Sequence, residues 1–230
     1  PVITEFSVNS IEYGSGSSAS DRAWFSIAAD ATLEFTWGAS DDDLLRASLA
    51  NVPGPGTPTN DGPSNLNYGW DWSTGGFTEG TWNPRLTVYD NSGLTAVQTM
   101  FIGIDRTGPT IGSVTTGSSS GWSTSSSVTL SGLINSVDDG LGSGVAYTEI
   151  SLDENSWTQI SSNTHTLTLP DGTHTIYLRA TDNVGNIGTT TQLSVQVDTG
   201  LPLEGDWSVD ELTTALIGAV SVQYLSLIHI

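Results

Sequence analysis

Cysteine and lysine are both missing from this 230-residue chain, histidine occurs three times and methionine once. Each absence removes some chemistry. Without Cys there are no disulfides, no thiolate nucleophiles and no Cys-ligated zinc. Without Lys there is no Schiff base, no phosphate-loop lysine and no Lys–Asn cross-link. His165, His174 and His229 leave most hydrolytic triads and His-ligated metal sites without raw material. Positive charge is scarce too: five Arg stand against 25 Asp and Glu, a formal net charge of -20. So acidic a surface repels a phosphate backbone and argues against nucleic acid as a partner. The longest apolar run, Ala215 to Val220, is far shorter than a bilayer span, so no membrane insertion is expected.

What the chain has in quantity is Ser and Thr, 62 together, with 26 Gly. It also repeats itself. Residues 80–93, GTWNPRLTVYDNSG, align without a gap with 172–185, GTHTIYLRATDNVG, at an offset of 92. Gly80/Gly172, Thr81/Thr173, Leu86/Leu178, Asp90/Asp182, Asn91/Asn183 and Gly93/Gly185 are identical pairs. Each copy runs on into an alternating strand, an Asp and a proline: Ile104-Asp105-Arg106-Thr107-Gly108-Pro109 and Val197-Asp198-Thr199-Gly200-Leu201-Pro202. Pro1 opens a segment, PVITEFSV, similar to PTIGSV from Pro109. Self-similarity at a fixed period marks tandem modules, and the expected units are 1–108 and 109–201.

Within each unit the hydrophobic period is two. Leu33, Phe35 and Trp37 alternate with polar residues, as do Val128 and Leu130; Thr148, Ile150 and Leu152; Leu167 and Leu169; and Ile176, Leu178 and Ala180. Strict alternation describes strands with one face buried and one in water. Turn chemistry separates them at Asp153-Glu154-Asn155-Ser156, Pro170-Asp171-Gly172 and Asp182-Asn183-Val184-Gly185. About seven short strands per unit describe an antiparallel β-sandwich. The fold class expected is therefore all-β, two sandwiches in tandem. The first unit carries about fifteen extra residues, a Pro/Gly-rich insertion near 53–67 without strand or helix period, expected as a surface loop.

Residues 202–224 are expected to begin a truncated third unit or a short helix, the latter from Ser208 and Glu211 at capping-box spacing and Val209, Leu212, Leu216 and Val220 at helical spacing. Residues 225–230, LSLIHI, resemble the translation of a sequencing adapter and are set aside as an artefact. With Pro1 at the other end, the chain is expected to be a piece of a longer protein.

Three motifs in the second unit, DDGLGSGVAYTEISLDENSW (138–157), LPDGTHTIYLRATDNVGN (169–186) and VQVDTGLP (195–202), occur in an order that resembles bacterial and archaeal Ig-like repeats of secreted and cell-surface proteins. In the first unit TEGTWNPRLTVYDNSG and IDRTGP match, while Asp41-Asp42-Asp43 stands where the DxGSGV segment would be. The resemblance implies tandem immunoglobulin-like antiparallel β-sandwiches, used as spacer or adhesive modules without catalytic activity. Fold by itself does not settle function.

Calcium is the chemistry best supplied. Hard cations take carboxylate, amide and carbonyl oxygens, and 17 of the 25 acidic residues are Asp, many in turns beside Gly or Asn. In an Ig-like sandwich the loop after the second strand and the loop before the last strand share one end. In the second unit these loops carry Asp138-Asp139 and Asp182-Asn183, and the preceding linker carries Asp105. Their convergence would resemble the calcium-stiffened junctions of tandem adhesion domains. The alternative is turn formation alone, since Asp and Asn bond nearby backbone without any metal.

Tyr68, Trp70 and Trp72 stand in a Gly-rich stretch, where indoles either stack on sugar rings or fill the core. His165 and His174 flank the Pro170-Asp171-Gly172 turn on Thr-rich alternating segments and read as surface or edge residues. Gly140-Leu141-Gly142-Ser143-Gly144 has neither the helix nor the Lys of a phosphate loop. The expectation is a non-enzymatic stalk or adhesive module of an extracellular or cell-surface repeat protein. Its partners would be neighbouring Ig-like repeats and a cell-surface protein or glycan. The alternative is an accessory carbohydrate-binding region of a secreted polysaccharide-active enzyme.

Overall fold

The computed structural model describes residues 1–26, 32–52, 59–61, 65–73, 79–117, 122–134 and 137–200; the side chains of 32, 59–61, 65–73 and 138 are outside that description. Most of the insertion near 53–67 and all of 202–230 therefore lie outside the described residues. Every regular element among the described residues is a strand.

Ten strands come first: β1 (Val2–Val8), β2 (Ala23–Phe25), β3 (Thr32–Ser40), β4 (Leu44–Ala50), β5 (Thr59–Asp61), β6 (Asn65–Ser73), β7 (Gly80–Trp82), β8 (Arg85–Asp90), β9 (Thr95–Thr99) and β10 (Ile102–Ile104). They form sheets in the orders β1-β3-β6, β2-β10-β7 and β5-β4-β8-β9. Nine follow: β11 (Thr110–Ile111), β12 (Trp122–Ser123), β13 (Ser127–Ser131), β14 (Val137–Asp138), β15 (Val145–Ser151), β16 (Thr158–Ile160), β17 (Thr164–Thr168), β18 (Gly172–Asp182) and β19 (Thr191–Val197). Their orders are β12-β19-β18-β15-β16, β13-β17 and β11-β14. Pairing is antiparallel except β2 with β10 and β12 with β19, a short parallel pair in each set.

Alternation places the cores. Leu33, Phe35 and Trp37 of β3 are fully buried, and they pack with Leu49, Leu86 and Ile104 in a first cluster. Ile176 and Leu178 of β18 do the same with Val128, Leu130 and Val195 in a second. Each such side chain contributes about 1.5–3 kcal/mol of burial. The two clusters share no residue.

Within the sequence repeat, one residue changes the strands. Residues 172–182 run unbroken as β18, which pairs with β15 on one side and β19 on the other. In the first copy Pro84 stands where Ile176 does, and the segment splits into β7 and β8. A proline has no amide to give to a ladder. β7 then pairs only with β10, while β8 pairs with β4 and β9.

Leu152 departs from its alternating pattern: it is 51% exposed, while Ser151 beside it is buried. The cause is local. Asp153 accepts hydrogen bonds from the amides of Asn155 (2.9 Å) and Ser156 (2.7 Å) and from the Ser151 hydroxyl (2.9 Å). Together they end β15 and start a turn in which Glu154 takes φ 62°. The amides of Ser156 and Asn155 hold the Asp153 carboxyl well below the usual carboxylate range. Its folded pKa being depressed, the stability this turn contributes is complete above the unfolded pKa of about 3.9 and is lost as pH falls further. Asp153→Asn is expected to lower stability at pH 7 and to flatten the acid limb, so that the two proteins converge as pH falls below about 4; urea titrations at several pH values check this, and parallel acid limbs would contradict it.

Candidate functional site

The segment leaving β10 connects the two cores, and Asp105 is its first residue. Its amide still pairs with the Phe25 carbonyl (2.9 Å), continuing the β10–β2 pairing. Its carboxylate points the other way along the chain and accepts the Ser143 amide at 2.6 Å, in the loop before β15. Asp105 is only 2% exposed.

Asp139 lies in the same loop and accepts the Gly144 amide at 2.6 Å. Asp182, also 2% exposed, ends β18. One Asp182 oxygen accepts the amides of Val184 (3.0 Å) and Asn186 (2.9 Å), and the other the Asn186 side-chain amide (2.8 Å). Asn186 also donates to the Asp105 carbonyl at 3.0 Å. One oxygen each from Asp105, Asp139 and Asp182 lies within 4.8 Å of the others.

Backbone closeness makes this possible. A Cβ on Gly142 would lie 2.5 Å from an Asp139 oxygen and 2.6 Å from an Asp105 oxygen, so the carboxylates fill the space a side chain would need. A Cβ on Gly188 would lie 1.8 Å from the Pro109 carbonyl, and one on Gly108 2.3 Å from the Gly188 nitrogen. The linker thus rests backbone to backbone on the loop after β18. Its other side is held by Glu79, which accepts the Arg106 amide (2.6 Å) and the Thr107 hydroxyl (2.7 Å). Asp171, at the Glu79 position of the repeat, accepts the Thr199 amide (2.9 Å) and hydroxyl (2.7 Å) just after β19. Those Thr199 bonds lower the Asp171 pKa.

Of the residues expected to bind a cation, the fold brings Asp105, Asp139 and Asp182 together. Asn183 has a different task. Its side-chain amide donates to the Ser143 (2.8 Å) and Gly144 (2.9 Å) carbonyls, bracing one loop against the other. Asp138 pairs through its backbone with Thr110 in the β11–β14 ladder, and its side chain lies outside the described residues. The ladder sets Tyr68, Trp70 and Trp72 opposite Trp37, Phe35 and Leu33, and their side chains too lie outside the described residues. The expectation from sequence missed Gly142, Ser143 and Asn186. The Gly-x-Gly spacing inside DDGLGSGV was the available signal, because a loop that packs carboxylates against its own backbone needs positions without a Cβ.

The donor set fits a hard divalent cation. It is all oxygen, and three like charges within 4.8 Å lie mostly out of water. Each such pair repels by about 3 kcal/mol at an effective dielectric near 20. Hydrogen bonds to charged groups are worth about 1.5–3 kcal/mol each, enough to hold the carboxylates in place, but they leave the net charge unchanged. The Ser143 hydroxyl, in a residue 7% exposed, makes no hydrogen bond among the described residues, which leaves one more oxygen donor in the loop that carries Asp139. A cleft of about 470 Å³ lined by Glu79, Thr107, Thr110 and Leu141 reaches Asp105 and Asp139.

No family model matches the chain, and no curated protein does. Among solved structures it is similar, at low TM-score, to several β-rich repeat modules. The fibronectin(III)-like modules of Clostridium thermocellum CbhA match at 13% identity and TM-score 0.34, over 84% of this chain and 94% of that one. A 1.5-MDa bacterial ice-binding adhesin, described for host cell surface retention, matches at 16% identity and TM-score 0.42, over 75% and 59%. A Ca2+-stabilized adhesin with which an Antarctic bacterium binds ice matches at 16% identity and TM-score 0.38, over 84% and 48%. The chain spans about half to three-fifths of the length of both adhesin structures. Likenesses this distant leave the site to be argued from its own residues.

Gly142→Ala is expected to lower stability by roughly 1–3 kcal/mol by displacing the two carboxylates. In an Asp105→Asn/Gly142→Ala cycle the two costs should fall short of additive. Strict additivity in urea unfolding would show that the new methyl does not act through Asp105.

Proposed function

We propose that the chain is a non-catalytic stalk or adhesive module of a secreted or cell-surface protein, built of two Ig-like units, 1–108 and 109–201, with a calcium-stiffened joint between them. One observation carries this reading. Asp105 belongs by its backbone to the strands of the first core and by its carboxylate to the Ser143 loop of the second. A cation held by Asp105, Asp139 and Asp182 would therefore cross-link the two units as well as relieve their repulsion. Within this proposal Asp138 is a further candidate ligand and Asn183 a brace. The clamps at Glu79 and Asp171 suit a chain whose exits must point in a set direction, and a charge of -20 keeps such an array soluble and self-repelling. Neighbouring units of the same protein would be its permanent partners, and a surface protein or glycan its external one. No observation favours the sugar-binding alternative at Tyr68, Trp70 and Trp72.

At about ten times the dissociation constant of an extracellular-type site, calcium adds about 1.4 kcal/mol, a rise in melting temperature of roughly 5 °C. That rise is expected in millimolar calcium, to disappear with chelator, and to be absent in Asp105→Asn. An identical melt in calcium and chelator would remove the calcium joint. Small-angle scattering tests the stalk itself: an elongated two-unit particle is expected, and a compact side-by-side pair would overturn it.

A further inference from the structure

The joint has a second cleft, of about 460 Å³, which shares Gly80, Leu141 and Gly142 with the first but includes neither Asp105 nor Asp139. One wall belongs to the first unit and is tied down by its own hydrogen bonds. The Trp24 amide donates to the Tyr13 carbonyl (2.8 Å), and the Gly16 amide to that of Asp21 (2.8 Å). Asp21 closes this loop by accepting the Ser15 amide (3.1 Å) and the Ser17 hydroxyl (3.1 Å). The Trp24 indole lies directly on the backbone of β10, since a Cβ on Gly103 would sit 2.3 Å from it. Tyr13, paired with Trp24 through the backbone, is 46% exposed. The other wall is the loop from Leu141 to Gly144 of the second unit.

Two polar groups of this cleft are left without a task. Arg22 uses only Nη1 within the protein, donating to the Trp82 (3.2 Å) and Ile102 (3.3 Å) carbonyls and to the Asn83 side-chain oxygen (3.0 Å). Its Nε and Nη2 make no hydrogen bond among the described residues. Ser143 lines this cleft and not the one that holds Asp105, and its unpartnered hydroxyl belongs to a residue 7% exposed. A buried hydroxyl without a partner is costly, and a ligand oxygen in the cleft would supply one. An exposed aromatic ring beside forked donors and a hydroxyl suits a ligand with an apolar face and a hydroxylated rim, which describes a sugar ring. Charge narrows the class. Arg22 disfavours a cation, while Asp21 and a net charge of -20 disfavour an anion. The volume falls within about 300–1,000 Å³, the range of small-ligand sites. From these contacts we propose that the cleft binds a neutral saccharide, stacked on Tyr13 and hydrogen-bonded by Nε and Nη2 of Arg22 and by the Ser143 hydroxyl. A glycan, not a protein, is then the external partner. The proposal rests on the two-unit joint, because its walls come from different units, but on no bound metal.

Affinity electrophoresis of the full chain through gels containing glucomannan, xylan or galactan, with alginate as the anionic control, is the test. Retardation by at least one neutral polysaccharide is expected, and Tyr13→Ala should weaken it about tenfold. Tyr13 is an exposed side chain, so its loss leaves the core untouched. Ser143→Ala, on the other wall, should weaken retardation as well. Passage unretarded through every neutral gel would overturn the proposal, as would retardation by alginate alone. Binding that survives Tyr13→Ala but is lost with Trp70→Ala/Trp72→Ala would put the sugar elsewhere and overturn the cleft. Thermal melts of the same samples in calcium and in chelator keep the two readings apart. A calcium shift without sugar binding sinks the cleft and leaves the joint; sugar binding without a calcium shift upholds the cleft and removes the calcium.

Discussion

A carboxylate withdrawn from water has to find donors, and Asp105 finds its donor across the gap between the two cores. The backbone of Asp105 finishes one sheet, and its side chain takes the Ser143 amide of the next set of strands. The surrounding loops are shaped to allow this. Gly142 leaves room for the oxygens, Asn186 ties the linker carbonyl to Asp182, and Asn183 joins the two loops that supply the other carboxylates. Each of these bonds is ordinary on its own. Together they give the linker few ways to move without stranding a buried charge, which is among the costlier things a protein can do.

The same economy recurs wherever a strand ends. Asp90, Asp153 and Asp182 each turn the chain by accepting backbone amides a few residues on. Glu79 and Asp171 use the same bonds over longer separations to hold the segments that leave the two cores. An acidic chain with hardly any basic side chains cannot neutralise its carboxylates by ion pairs. It stabilises them with dipoles, and amides and hydroxyls are what a Ser-, Thr- and Gly-rich sequence has to spare. Acidity and turn chemistry are therefore a single property of this protein, and clusters of carboxylates at loop ends are its by-product. Where two such loops face each other, their carboxylates come within 4.8 Å of one another.

Much was legible beforehand because it is local. Alternation in LEFTW and TIYLRA marks half-buried strands whatever lies across from them, and Leu33, Phe35, Trp37, Ile176 and Leu178 are buried accordingly. The aligned Asp-Asn-x-Gly turns repeat because the residues that make them repeat. Leu152 escaped the pattern since a side chain two residues further on, Asp153, captured the backbone and ended the strand first. Pro84 was visible in the sequence, yet its effect depended on which neighbours β7 and β8 would find.

The sequence alone determined the strand class, the tandem repeat, the turns and the sign of the charge, since each follows from composition, from period two or from bonds a few residues long. Only the tertiary structure decided which carboxylates meet. Asp105, Asp139 and Asp182 are separated by long stretches of chain, and no rule of local spacing links them. Their meeting depends on how sheets bring loops to a common end and on a glycine that lets oxygens approach the backbone. It depends too on Asn183 turning its amide to two carbonyls rather than offering its oxygen to a cation.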